Sequence, residues 1–184
     1  MFNPILGILA SSGAVAGGSY ESIATVSVGS GGTSYVEFTS IGSGYKHLQL
    51  RYIAMFTDGG AEFELAFNSD TTAGNYARHF LYGDGSSAGA GAATGSNTRS
   101  ILYTRNSSST TPGAAVLDIL DYGSTSKNKT LRALNGQDYN GSGSVALISG
   151  LWMNSSNAIT SIKLQPTAGT IREYSTFALY GIKD

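Results

Sequence analysis

Two histidines, His47 and His79, are the side chains of this sequence that could act as an imidazole base. In a nucleophilic triad the histidine needs a serine or cysteine to activate and a carboxylate to orient it. Neither histidine has such partners at a motif spacing, and the chain has no cysteine. His47 alternates with Gln49 and Arg51, which places it on the polar face of a strand. We therefore interpret both histidines as ordinary strand residues and predict that the protein is not an enzyme.

Paired carboxylates are the second set of residues that could do chemistry. Glu62 and Glu64 lie two apart on one face of a predicted strand, whereas a glycosidase needs its carboxylates to face each other across a cleft. We expect both to be solvated. Asp118 interrupts an apolar run, so we expect it to be half-buried. A cation on the following strand, Lys129 or Arg132, is its predicted structural partner.

A cation site is the third chemical candidate. Calcium takes carboxylate and carbonyl oxygens from loops. Four aspartates lie in segments rich in Gly, Ser and Asn: Asp58, Asp70, Asp84 and Asp138. None of them stands at EF-hand spacing, and no glycine-rich turn precedes a helix as a phosphate cradle requires. We predict no metal site and no cofactor.

Aromatic residues offer a recognition surface in place of a catalytic site. Eleven tyrosines and one tryptophan occur in a chain with few charges. Such rings suit both wet contact surfaces and cross-strand core pairs. We interpret Tyr52, Trp152 and Tyr180 as core residues or cross-strand pairs. The sequence leaves Tyr103, Tyr122 and Tyr139 open as a surface that could contact a glycan or a protein.

The charge content excludes two classes of partner. Charged residues make up 12% of the chain and the net charge is −1, so electrostatics supplies no attraction to nucleic acid or to an anionic membrane. Hydrophobic residues reach 41%, which argues against disorder. Abundant Gly, Ser, Thr and Tyr with few Lys and Glu favour strands over helices.

The elements that would position these residues are short strands. Apolar and polar residues alternate with period two from Glu21 onward, as in Phe63 to Phe67, and turn residues separate about ten such runs. This pattern predicts an all-β fold, an antiparallel β-sandwich that is jelly-roll-like, over residues 21–184. We expect a hairpin turn at Asp58-Gly59-Gly60 and a long surface loop from Gly83 to Asn97.

Residues 1–20 form a separate unit, which we predict to be an extended N-terminal arm. Its first ten residues are apolar but contain Pro4 and Gly7, and the run is far shorter than the roughly 20 residues that span a bilayer. We therefore expect no membrane insertion. Exposed apolar side chains need a partner to cover them, or the arm folds back on its own domain. The predicted docking residues are Phe2, Ile5, Leu6, Ile8 and Leu9.

Several segments of the sequence are distinctive. The most specific are AVLDILDY, which ends at Tyr122, and FALYGIK, which begins at Phe177. Further segments are GYKHLQLR, FLYGDGS, GSGSVALISGLWM and AITSIKL. Together they resemble a family of small phage virion proteins, common in phages of cyanobacteria and other aquatic bacteria. The resemblance covers nearly the whole chain after Tyr20. It implies a β-sandwich module that forms a homotrimer, either as a capsid cement (decoration) protein or as a domain at the tip of a tail spike or fibre.

The expected function is therefore that of a virion structural protein. In the cement role, the trimer would bind the outer surface of the head, and the arm would dock on the major capsid protein or on a neighbouring subunit. The chain is short and has no heptad repeat that would form a fibrous shaft, which favours the cement role. The alternative is a tail fibre or spike tip that binds a host surface glycan.

Overall fold

The computed structural model describes residues 19–59, 61–94, 99–102 and 110–183. These residues form eleven strands and one three-residue 3-10 helix, Ala73–Asn75. No helix in these ranges is long and apolar enough to cross a membrane. The strands are β1 (Tyr20–Ser27), β2 (Val36–Phe38), β3 (His47–Ala54), β4 (Phe63–Phe67), β5 (Tyr76–Gly83), β6 (Ala88–Thr94), β7 (Gly113–Leu120), β8 (Lys129–Asp138), β9 (Gly143–Trp152), β10 (Ile162–Pro166) and β11 (Thr176–Ile182).

The strands make two sheets of unequal width. Eight strands form the large sheet in the order β1-β11-β3-β7-β8-β9-β5-β6, and three form the small sheet in the order β2-β10-β4. Every neighbouring pair is antiparallel. The predicted all-β antiparallel sandwich is confirmed. Its first strand begins at Tyr20, one residue before the predicted start of the folded domain.

The core lies between the inner faces of the two sheets. In β4, Phe63, Leu65 and Phe67 are fully buried, and the intervening Glu64 is not. The ring of Phe63 packs edge-on against Tyr52 and Phe177 of the large sheet, with centroids 5.1 and 5.5 Å away. Edge-to-face contacts at this separation add to the free energy of burial. One aromatic residue of the small sheet thus joins β3 and β11.

The predicted hairpin at Asp58-Gly59-Gly60 is wrong. β3 pairs with β7 and β11, whereas β4 pairs with β10 in the other sheet. The segment between β3 and β4 therefore carries the chain from the large sheet to the small one. Period-two alternation marks a strand's buried face but does not identify its pairing partner. A turn signal between two strands therefore does not by itself distinguish a hairpin from a crossover between sheets.

The predicted loop from Gly83 to Asn97 is wrong as well, because its centre is strand β6. Asp84 accepts hydrogen bonds from the backbone N–H groups of Ser86 and Ser87, at 2.9 and 2.7 Å, and closes a tight turn. β6 then runs antiparallel to β5 along its whole length. Its glycines leave room for the aromatic rings of β5, which supply the side-chain surface that a glycine–alanine strand lacks.

Asp70 holds the turn after β4 against the core. Its carboxylate accepts hydrogen bonds from the buried Trp152 indole and from the Asn75 amide, both at 2.9 Å, and from the Thr72 backbone N–H at 3.0 Å. Burial alone would raise the pKa of Asp70, but these donors outweigh it and hold the pKa below its usual value. A carboxylate that is hydrogen-bonded only in the folded state stabilises that state while it is ionised.

We predict that Asp70→Ala lowers the free energy of unfolding at pH 7 by about 2–3 kcal/mol, because the buried Trp152 N–H loses its acceptor. Asp70→Asn keeps a side-chain oxygen and should cost less. Because the folded-state pKa is depressed, the stabilisation is complete above the unfolded pKa near 3.9 and fades as pH falls through the folded value. The difference between wild type and Asp70→Ala should therefore shrink in acid.

Urea denaturation at neutral and acidic pH measures this difference. Asp138→Ala is the matched control, since Asp138 is exposed and its carboxylate accepts a bond from the Asn140 N–H in a surface turn. We expect the control to change stability by less than about 1 kcal/mol. An Asp70→Ala protein as stable as the control would contradict the role given to this carboxylate.

Candidate functional site

The predicted arm and one of the three open tyrosines lie outside the described residues. These are Phe2, Ile5, Leu6, Ile8, Leu9 and Tyr103. Their roles stay predictions. The two other tyrosines are described and lie in different surroundings.

Tyr122 is not part of an exposed recognition surface, so that prediction is wrong for this residue. Its side chain is 1% exposed, and its hydroxyl donates to the backbone carbonyl of Gly42. Burial raises the pKa of this phenol. Tyr139 is half-buried beside the turn between β8 and β9, where its backbone N–H donates to Ser142 O at 2.7 Å. Its role in recognition stays a prediction.

The two histidines lie on separate strands of the large sheet, β3 and β5. His47 Nδ1 accepts a hydrogen bond from the backbone N–H of Asp121 at 3.0 Å and lies 3.7 Å from the carboxylate of that residue. His79 is exposed and lies directly opposite Ser149 across β5 and β9. The nearest carboxylate in that cross-strand row is Asp118, three strands away, and its oxygens bond other side chains. No carboxylate in this row is therefore placed to orient His79.

One stretch, Gly85 to Gly89, has the G-x-S-x-G spacing of a nucleophile elbow, with Ser87 at the serine position. A nucleophile elbow requires a strand-to-helix turn. Here the stretch lies in the hairpin between β5 and β6, and the Ser87 hydroxyl is 3.1 Å from Asp84 Oδ2. The match therefore has the wrong structural setting.

Glu62, next to β4, and Glu64, within it, are each paired with an arginine. The expectation that both are solvated is therefore wrong. Glu62 lies 3.6 Å from the Arg78 guanidinium, and Glu64 lies 2.5 Å from that of Arg99. The four side chains are between 11% and 25% exposed. The carboxylates face arginines, not each other, so the arrangement is not that of a glycosidase.

Three of the four loop aspartates accept hydrogen bonds that hold turns in place. Asp84 and Asp138 accept backbone N–H groups two residues ahead, and Asp70 bonds Trp152 as described. Across the described ranges, no group of three His, Asp or Glu side chains is gathered where it could hold a metal ion.

Asp118 has the structural partner that the sequence predicts. Its carboxylate is half-buried and lies 2.8 Å from Arg132 Nη2 on β8, and it accepts a bond from Gln49 Nε2 at 2.7 Å. The other predicted partner, Lys129, points to the opposite face. There it is fully buried and donates to Asn154 O at 2.7 Å, and burial lowers its pKa.

This pair belongs to a polar network on the outer face of the large sheet. Gln49 Oε1 accepts bonds from the Tyr20 hydroxyl at 2.5 Å and from Arg51 Nε at 2.7 Å. The Arg51 guanidinium also lies over the stacked rings of Tyr20 and Tyr180. The network thus fixes the side chains of the outer face from β1 to β8.

Another part of the outer face is apolar and exposed. In one cross-strand row, Leu81 lies opposite Leu147, which lies opposite Leu134. The next row contains Val145 and Ile53. These five side chains are between 49% and 58% exposed and together present apolar surface on the order of 500 Å², near the upper end for a monomer.

The apolar region is recessed at its centre. An open depression of about 550 Å³ is lined by side chains that include Ile53, Val116, Leu134 and Val145. Arg51 lies at its border, where the polar network begins. The sequence contained a signal for this surface: in β9, apolar residues occupy both phases of the alternation, which is typical of a strand covered on both faces.

We predict that adjacent substitutions in β9 differ sharply in cost. Leu147→Thr, on the outer face, should change the free energy of unfolding by less than about 1 kcal/mol at low protein concentration. Ile148→Thr should cost about 2–3 kcal/mol, because it removes apolar contacts and buries a hydroxyl in the core. Chemical denaturation of the two variants measures this. Equal costs would contradict the assignment of the two faces.

Comparison of the chain with protein-family models, curated proteins and solved structures finds no match. The resemblance of its segments to small phage virion proteins therefore stays a prediction.

Proposed function

We propose that this protein is a structural component of a phage virion, a homotrimeric capsid cement protein that binds the outer surface of the head and reinforces it. The observation that carries the proposal is the exposed apolar part of the outer face, centred on Leu134 and Leu147. A protein that stays monomeric gains nothing from half-exposed leucines in adjacent positions. A second copy of the chain is the occupant that we assign to this face.

The outer face suits contact between copies. Three patches on the order of 500 Å² that meet around a three-fold axis bury about 1,500 Å² in total, close to the area of a standard-size interface. In such a closed ring each subunit divides its patch between its two neighbours. The polar network bordered by Arg51 already has its hydrogen bonds made within the subunit, so it can form a polar rim around the apolar centre.

The arm supplies the proposed contact with the shell. Residues 1–18 precede β1 at one edge of the large sheet, and a chain of that length can reach about 60 Å when extended. We assign Phe2, Ile5, Leu6, Ile8 and Leu9 to a groove of the major capsid protein. Three arms on one trimer act at high effective concentration, so a weak individual contact suffices.

We expect the purified protein to sediment at three times the chain mass of 19.0 kDa. Leu134→Lys combined with Leu147→Glu should convert it to monomer, because charges replace the apolar contact. The two new side chains are directly opposite and can pair across the strands, which preserves the fold. Met153→Lys, at an exposed site outside the patch, is the control and should stay trimeric. A monomeric wild type would contradict the proposal.

We expect deletion of residues 1–18 to abolish binding to assembled capsids while leaving the trimer intact. The measurement is the number of copies per particle after purified capsids are mixed with the protein. Quantitative mass spectrometry of intact virions tests the same proposal, since a cement protein covers the head in hundreds of copies. A handful of copies per virion would support the alternative role at the tip of a tail fibre or spike, where the protein would bind a host glycan.

A further inference from the structure

Among the residues that the structure describes, none covers the β5 end of the inner face of the large sheet completely, and a cleft opens there. The cleft has a volume of about 480 Å³, within the usual range of about 300–1,000 Å³ for small-molecule sites. Its walls include Glu62, Arg78, Phe80, Tyr82 and Asp84. It lies on the opposite side of the sheet from the apolar patch, so trimer contact and cleft do not overlap.

Two aromatic rings make one wall of this cleft. Phe80 and Tyr82 are alternate residues of β5, with ring centroids 6.3 Å apart. Each ring rests on a glycine of β6: a Cβ at Gly89 would lie 2.6 Å from the Tyr82 ring, and one at Gly91 would lie 2.5 Å from the Phe80 ring. Both aromatic residues line the cleft. Tyr82 remains 39% exposed.

Polar groups stand beside this aromatic wall. The Glu62 carboxylate and the Arg78 guanidinium are 3.6 Å apart, and the guanidinium carbon is 5.3 Å from the Phe80 ring centroid. Arg78 Nε is buried and has no hydrogen-bond partner. Buried polar groups are normally paired, so an unmet one in the wall of a cleft indicates a bound polar molecule.

We propose that the cleft binds a neutral oligosaccharide, with the apolar faces of its sugar rings against Phe80 and Tyr82 and its hydroxyls bonded to the Glu62–Arg78 pair. A sugar ring has an apolar face that fits an aromatic ring and hydroxyls that fit mixed donors and acceptors. Glu62 and Arg78 compensate each other, and Asp84 adds a negative charge, which disfavours acidic sugars. This inference rests on the alternative, glycan-binding role and not on the capsid role.

The test uses four neutral trisaccharides as probes: maltotriose, cellotriose, mannotriose and tri-N-acetylchitotriose. Each is titrated to about 10 mM, where even a millimolar site is nearly saturated, and amide shifts of the labelled full chain are followed by NMR. We expect at least one probe to shift residues 78–84. Tyr82→Ala and Phe80→Ala should each weaken that binding about tenfold, whereas Tyr35→Ala, at an exposed tyrosine of similar accessibility on the small-sheet side, should not.

Gly89→Ala supplies a variant that leaves the binding side chains in place. Its methyl group displaces the Tyr82 ring, so it should weaken binding as Tyr82→Ala does. Failure of all four probes to shift residues 78–84 would overturn the inference, as would binding that neither aromatic variant weakens. Either result leaves the copy number per virion, and hence the capsid proposal, to be decided separately.

Discussion

The unequal width of the two sheets is the constraint on which the rest of this structure depends. Strands lie about 4.8 Å apart, so eight strands span about 38 Å and three span about 14 Å. A three-stranded sheet cannot cover an eight-stranded one. The inner face must therefore be completed by loops or left partly open, and no second sheet lies on the outer face within the described ranges. The proposed sugar cleft and the proposed trimer contact each lie on a surface that this mismatch leaves uncovered.

Where the small sheet does cover the large one, large rings close the core. Phe63 and Phe67 are four residues apart in β4 and point to the same face. Phe63 contacts Tyr52 and Phe177 on one side of the large sheet, and Phe67 contacts Trp152 on the other. A short strand can hold a wide sheet in this way because each ring buries a large apolar area. The indole N–H of Trp152 is buried in that cluster and donates a hydrogen bond to the Asp70 carboxylate.

The sequence predicted what depends on local alternation and missed what depends on neighbours. The period-two pattern identified most strands and their buried faces but not β6, whose glycines and alanines carry no such alternation. The polar Asp118 within an apolar run correctly implied a cation on the next strand. The pairing of β3 with β7 and β11 could not be predicted, because alternation carries no information about partners. The sequence left Tyr122 open because a tyrosine in a turn can point either way. The cleft could not be predicted, because Glu62 beside β4 and the two β5 residues Arg78 and Tyr82 meet only when the two sheets pack together.

The fit between rings and glycines has a consequence for how β6 folds. A strand of alternating glycine and alanine has almost no side chains that could distinguish one alignment with β5 from another. A slip by one position would place an alanine methyl group beneath each aromatic ring. A slip by two would present a glycine to one ring and Ser87 or Ala93 to the other. The rings of Phe80 and Tyr82 therefore disfavour both slips sterically, and the tight turn at Asp84 favours the same alignment.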